Sequence, residues 1–186
     1  MRNPYHDAFV TATTLSTDFG AFRSRSKLVK MYAWAVPTEE AIEAIHKLKT
    51  PIVEIGAGSG YWTYCMRQLG IDVVAYDAEP YQNRYINGNW SEVLVGDEKA
   101  IRQHYDRALL LVWPPYNTPM ASDTLSNFKG SHVVYVGESA YGCTGDDKFH
   151  TLLEKEWDVV EEVDIPQWPG IHDYLTIYRR KQPLIV

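Results

Sequence analysis

The 186-residue chain carries 24 acidic against 18 basic side chains, a net charge of -6, and is 45% hydrophobic, which suffices for one sizeable core and leaves little room for a second domain. That balance argues against a broad nucleic-acid footprint, and the longest apolar run, Ala108-Leu109-Leu110-Leu111-Val112-Trp113, is far too short to cross a bilayer. The first residues lack the basic-then-apolar form of a secretory signal, and Cys65 and Cys143 have no Cys-x-x-Cys spacing, so a cytoplasmic chain with reduced thiols and no metal is expected.

Residues 1–36 read as a partly irregular N-terminal extension, in which the basic residues Arg23, Arg25 and Lys27 look like solvated surface, as do Arg179, Arg180 and Lys181 near the other end. Pro37-Thr38-Glu39-Glu40 then reads as a helix start with acids in its first turn and Ala41, Ile42, Ile45 and Leu48 on its apolar face. From there strand-like and helix-like segments alternate: strand 52–55, helix 61–69, strand 73–76, a weak helix 81–88, strand 93–95, helix 98–104 and strand 108–112. A short stretch at 120–128 leads to a fifth strand, 133–136, and a helix over 146–155. Such alternation predicts an α/β fold, a parallel sheet with helices on both faces. The pattern then changes. Segments 157–163 and 174–178 are both extended, with only the break Pro166-Gln167-Trp168-Pro169-Gly170 between them, so they must pair as antiparallel neighbours.

Glu54-Ile55-Gly56-Ala57-Gly58-Ser59-Gly60 joins the first strand to a helix start through three glycines at alternate positions. Side chains at Gly56, Gly58 or Gly60 would keep a ligand away from this turn, whose helix-start N–H groups are expected to be free to donate. A dinucleotide fingerprint, G-x-G-x-x-G, needs its third glycine where this chain has Tyr61. Asp77 ends the second strand roughly 20 residues past the turn, where a mononucleotide-binding half places its ribose carboxylate, and Asp97 ends a third apolar run. Each feature alone also reads as a tight turn or a helix cap.

With Glu54 two places before the first glycine, the E-x-G-x-G-x-G run resembles the first motif of the class I S-adenosylmethionine-dependent methyltransferases. The resemblance covers about residues 37–180 and implies a three-layer, Rossmann-like fold with a mostly parallel seven-stranded sheet, ending in an antiparallel hairpin whose last strand lies beside the fifth. It implies S-adenosylmethionine as cofactor, with Glu54, Gly56, Ala57, Gly58 and Gly60 at the methionine side, Trp62 just beyond, Asp77 with Ala78 at the ribose and Asp97 at the adenine amine. Residues 1–36 are then an extension or lid, with Tyr32 and Trp34 folded over the cofactor.

Methyl transfer from a sulfonium gains from a dry, aligned pocket, which aromatic walls supply. Trp62, Trp113, Tyr116 and Trp168 are candidates for it, with core packing as the alternative use. Trp113-Pro114-Pro115-Tyr116 resembles the Asp/Asn-Pro-Pro-Tyr motif of methyltransferases acting on amine or amide nitrogen, but Trp113 has only an N–H donor, which leaves the Pro114 carbonyl and the Tyr116 ring to hold an acceptor. Glu138 and His172, beside Asp173, are candidate bases, with a structural or surface role open for His172. Neither Ser59 nor Ser139 sits in a hydrolase elbow. A small-molecule substrate, or a small exposed group, is expected rather than nucleic acid or a membrane. The acceptor atom and the oligomeric state stay open. The rivals are an NAD(P)-dependent oxidoreductase and a methyltransferase-like protein that binds the cofactor without transferring its methyl.

Overall fold

The computed structural model describes residues 1–14 and 18–182. Helices α1 (Pro4–Thr14), α2 (Asp18–Met31) and α3 (Glu39–Lys47) precede strand β1 (Ile52–Ile55). There follow α4 (Tyr61–Gln68), β2 (Val73–Asp77), β3 (Leu94–Val95), a 3-10 helix (Glu98–Gln103), β4 (Ala108–Val112), α5 (Met120–Asn127), β5 (His132–Gly137), α6 (Asp147–Glu156), β6 (Trp157–Asp164) and β7 (Tyr174–Arg180). One seven-stranded sheet runs β3-β2-β1-β4-β5-β7-β6, with β1 to β5 parallel and β7 antiparallel to both its neighbours. The expected insertion of the last strand beside the fifth is therefore observed.

Each central strand feeds two cores because its side chains alternate faces. Leu110, Val134 and Val136 point with Leu175 and Ile177 toward α3 and α4, where Ile42, Ile45, Trp62 and Met66 meet them. Leu109, Leu111, Val133 and Tyr135 point the other way, onto Ile101, Leu125, Phe128, Phe149 and Leu153. Thr38 caps α3 as expected, its hydroxyl accepting from the Ala41 N–H at 3.1 Å.

Three expectations need correction. The N-terminal extension is helical: Asn3 Oδ1 accepts from the His6 N–H at 3.1 Å and Pro4 takes the first helical position, so α1 has an N-cap and a proline start that apolar periodicity does not reveal. Segment 81–88 is not a helix, because Asn83 Oδ1 accepts from the N–H groups of Tyr85 and Ile86, at 2.8 and 2.9 Å, and bends the chain into a turn. Within the unassigned stretch 120–128 the chain forms α5. No helix among the described residues is long and apolar enough to cross a membrane.

Candidate active site

A cleft of about 580 Å³ opens at the carboxyl ends of β1, β2 and β4, where open α/β sheets hold their ligands. Its inner wall is the glycine turn. Gly56, Gly58 and Gly60 have φ of +81°, +55° and +72°, a backbone region that L side chains resist. The N–H groups of Gly56 and Ala57 both donate to the Tyr76 carbonyl, at 2.8 and 2.9 Å, and Gly58 donates to Asp77 Oδ2 at 2.8 Å. These turn donors are thus spent holding β1 to β2, whereas the sequence suggested donors left free at the turn. Gly56, Ala57 and Gly58 line the cleft, whereas Gly60 does not: a Cβ there would meet Val93 Cγ2 at 2.8 Å and the Ser91 carbonyl at 3.2 Å. Gly60 is needed for close packing of the chain behind the turn.

Asp77 lines the cleft with Ala78, and its Oδ1 accepts from the Glu79 N–H at 2.8 Å, so both carboxylate oxygens are fixed by backbone donors and keep further lone pairs. Glu54 is 2% exposed and accepts from Thr63 Oγ1 at 2.5 Å. Burial pushes its pKa up to about 7, the Thr63 bond opposing and the neighbouring Asp77 charge adding. Trp62 lines the cleft from the core, almost fully buried, and its Nε1 donates to the Ala35 carbonyl at 3.2 Å. Asp97 lies on the rim and caps the 3-10 helix through the Lys99 N–H at 3.0 Å.

The outer wall comes from the α2–α3 connection, where Tyr32, Ala33 and Trp34 line the cleft. Residues 79–92 cross beside them. Asn87 donates to the Lys30 carbonyl at 2.7 Å and Trp90 Nε1 to the Met31 carbonyl at 2.8 Å, latching this strap to the end of α2. Ser59 Oγ donates to the Tyr32 carbonyl, and the Tyr32 ring stacks between Tyr5 and Trp90, with centroids 4.9 and 5.1 Å away.

At the far end, Trp113 has a φ of +51°, an uncommon value for a bulky residue. Its ring lies 5.1 Å from that of Trp34, nearly parallel, and its Nε1 donates to Asp173 Oδ2 at 2.8 Å. Asp173 is 2% exposed, and burial pushes its pKa up to about 6, against the Trp113 bond. Pro114 and Pro115 line the cleft, but the Pro114 carbonyl already accepts from the Gly145 N–H at 2.8 Å.

Four expected pocket residues lie elsewhere. Tyr116 is 59% exposed and outside the cleft. Trp168 is in the core, packed on Phe9 at 4.8 Å with its Nε1 donating to the Tyr5 hydroxyl at 3.2 Å. Glu138 accepts from the Cys143 N–H at 2.7 Å and the His172 N–H at 2.9 Å, and it ties the β5–α6 loop to the start of β7. Burial alone would raise its pKa, but those donors outweigh burial and hold the carboxyl below its ordinary range. His172 is exposed and reaches the site only through that backbone bond. Sequence reading also missed Arg25, which lies over Trp34 at 5.3 Å and Trp113 at 5.7 Å instead of in solvent. Tyr85, Ile86 and Met120 line the cleft too, and no spacing rule singled them out. Among the described residues no cluster of three metal-ligating side chains occurs.

No family model matches the chain, and no curated protein matches it by sequence. Solved structures do match. The Burkholderia thailandensis 1,6-didemethyltoxoflavin-N1-methyltransferase, with bound 1,6-didemethyltoxoflavin and S-adenosylhomocysteine, is 14% identical at a TM-score of 0.55, over 98% of this chain and 92% of its own. A TehB-like SAM-dependent methyltransferase from Corynebacterium glutamicum is 14% identical at 0.53, over 86% and 96%. Magnesium protoporphyrin IX methyltransferase from Synechocystis PCC 6803, with bound SAM, is 10% identical at 0.52, over 94% and 97%. The chain has the Rossmann-like fold of the class I methyltransferases.

Proposed function

We propose that the chain is an S-adenosylmethionine-dependent methyltransferase acting on a small molecule or a small exposed group. The observation that carries this reading is the Asp77 carboxylate, fixed at the end of β2 by the Gly58 and Glu79 N–H groups and lining the cleft beside the glycine turn. The cleft's volume suits a ligand of nucleoside-plus-amino-acid size, within the usual range of small-molecule sites. Gly56, Ala57 and Gly58 would face the amino-acid portion, Asp77 and Ala78 the ribose, and Asp97 the adenine. Glu54 braces the turn through Thr63. When bound, S-adenosylmethionine supplies an electrophilic methyl on a sulfonium. Trp62, Trp34 and Trp113 line the cleft and would help exclude water from the reacting end.

Among the candidate bases, Glu138 is spent on backbone donors and His172 is outside the cleft, so neither serves as the base for an acceptor held there. The same feature supports a second reading, cofactor binding without transfer. The nicotinamide rival is disfavoured by Tyr61 at the third fingerprint position and by β7 lying between β5 and β6. Two free thiols, buried Cys65 and exposed Cys143, support a reducing, cytoplasmic setting.

Calorimetric titration with S-adenosylhomocysteine tests the cofactor. A Kd on the order of micromolar, about -8 kcal/mol, is expected. No heat at saturating ligand, with a response to NAD(H) instead, would overturn the proposal. Methyl transfer from labelled cofactor to any extract component excludes the binding-only reading.

A further inference from the structure

We infer that the acceptor is a planar aromatic compound bearing an anionic group, its ring set against the aromatic row at the mouth of the cleft and its anion read by Arg25. That this compound accepts the methyl rests on the methyltransferase reading; its planarity and charge rest on an aromatic row and two arginines. Tyr85, Trp34 and Trp113 form a continuous row, with centroids 6.2 Å apart for the first pair and 5.1 Å for the second. A guanidinium flanks each end. Arg84 lies over the Tyr85 ring at 4.5 Å, and Arg25 lies over both Trp34 and Trp113.

Neither arginine is ion-paired to a described residue, and Arg25 Nε is buried with no hydrogen-bond partner. A buried donor left unmade is costly, so such a group is usually completed by something else. A guanidinium laid on an aromatic face keeps its in-plane N–H fork open, the geometry that matches a carboxylate or phosphate.

Charge around the cleft is divided accordingly. Glu54, Asp77, Glu79, Asp97 and Glu98 line it from the β1, β2 and β3 ends, which suits a ligand with a sulfonium and an ammonium. Arg84 lines the cleft at the Tyr85 end of the row, while Arg25 lies over the Trp34 and Trp113 rings without itself lining the cleft, at the end where Trp113 donates to the buried Asp173 carboxyl. An anionic aromatic compound is therefore drawn to the aromatic row and its two guanidinium groups rather than to the five acids that line the cleft.

The test is calorimetry on the full chain with 2-naphthoate, 2-naphthyl phosphate and uncharged 2-naphthamide, with and without saturating S-adenosylhomocysteine. At least one anion is expected to bind about tenfold tighter than the amide, roughly 1.4 kcal/mol, and the tighter of the two names the headgroup. R25Q should bring anion and amide within about twofold, and R84Q should weaken the preference by a smaller factor. If R25Q fails to fold by circular dichroism, R25K, which keeps charge and stem but lacks the fork, should still lose several-fold of the preference. Equal binding of anions and amide, binding of none of the three, or a preference unchanged in the folded Arg25 variant would overturn the inference. Anion preference without S-adenosylhomocysteine binding would sink the cofactor reading alone.

Discussion

The two ends of the cleft are built by different means. At the β1–β2 end, backbone holds backbone: Gly56 and Ala57 donate to Tyr76, Gly58 to Asp77, and three positive-φ glycines let the chain turn within a few residues. At the β4 end, side chains from remote parts of the chain converge: Trp34 after α2, Trp113 after β4, Asp173 at the start of β7 and Arg25 within α2. A backbone-built wall tolerates little change and suits an invariant ligand, while a wall of side chains can be re-cut for a different ligand without moving the sheet.

The largest expected effect lies in the backbone end. Gly60→Val places a β-branched residue at φ +72° against Val93 and the Ser91 carbonyl, and urea unfolding should show a loss of roughly 3 kcal/mol or more. Asp77→Ala should fold, yet weaken S-adenosylhomocysteine about 30-fold, near 2 kcal/mol, in a calorimetric titration. An unchanged affinity would remove the ribose role from Asp77 and break the division between the two ends.

A glycine at φ > 0 and an acid at a strand end were legible in sequence because both are local requirements, satisfied within some 20 residues of chain, although Gly60 packs behind the turn instead of lining the cleft. So were the alternation of strands and helices and the terminal hairpin. The β4 end was not legible in the same way. Glu138, His172, Tyr116 and Trp168 all stand in loops or at strand ends that sequence order places near the cleft, but what each one touches is decided by partners up to 163 positions away, as for Trp168 and Tyr5. Arg25 looked like solvated charge because its aromatic partners, Trp34 and Trp113, come together only when β4 and the α2–α3 connection meet. Asn3 and Asn83 were overlooked for a smaller reason: a single capping amide makes one helix and prevents another, and apolar periodicity is blind to both.

A pH measurement sharpens the contrast from inside the turn. Glu54 has a folded pKa near 7 against an ordinary 4.5, so the stabilisation from its proton is complete below pH 4.5 and is lost as pH rises through 7. Glu54→Gln keeps an acceptor for Thr63 and cannot titrate. Between pH 4.5 and 7 the wild-type stability should fall relative to the variant by on the order of 2 kcal/mol, read from parallel urea curves. Parallel pH profiles would show that Glu54 is ionised without cost. The smallest effect is expected at the most exposed expected site: Tyr116→Ala should stay within about 0.5 kcal/mol of wild-type stability, with S-adenosylhomocysteine affinity unchanged.

Soaking crystals of the protein with S-adenosylhomocysteine puts the cofactor assignment to the most direct test. The expected density has both ribose hydroxyls within hydrogen-bond distance of the Asp77 carboxylate and the amino-acid tail over Gly56 to Gly58. Density bound elsewhere, or an unoccupied cleft at saturating ligand, would contradict it.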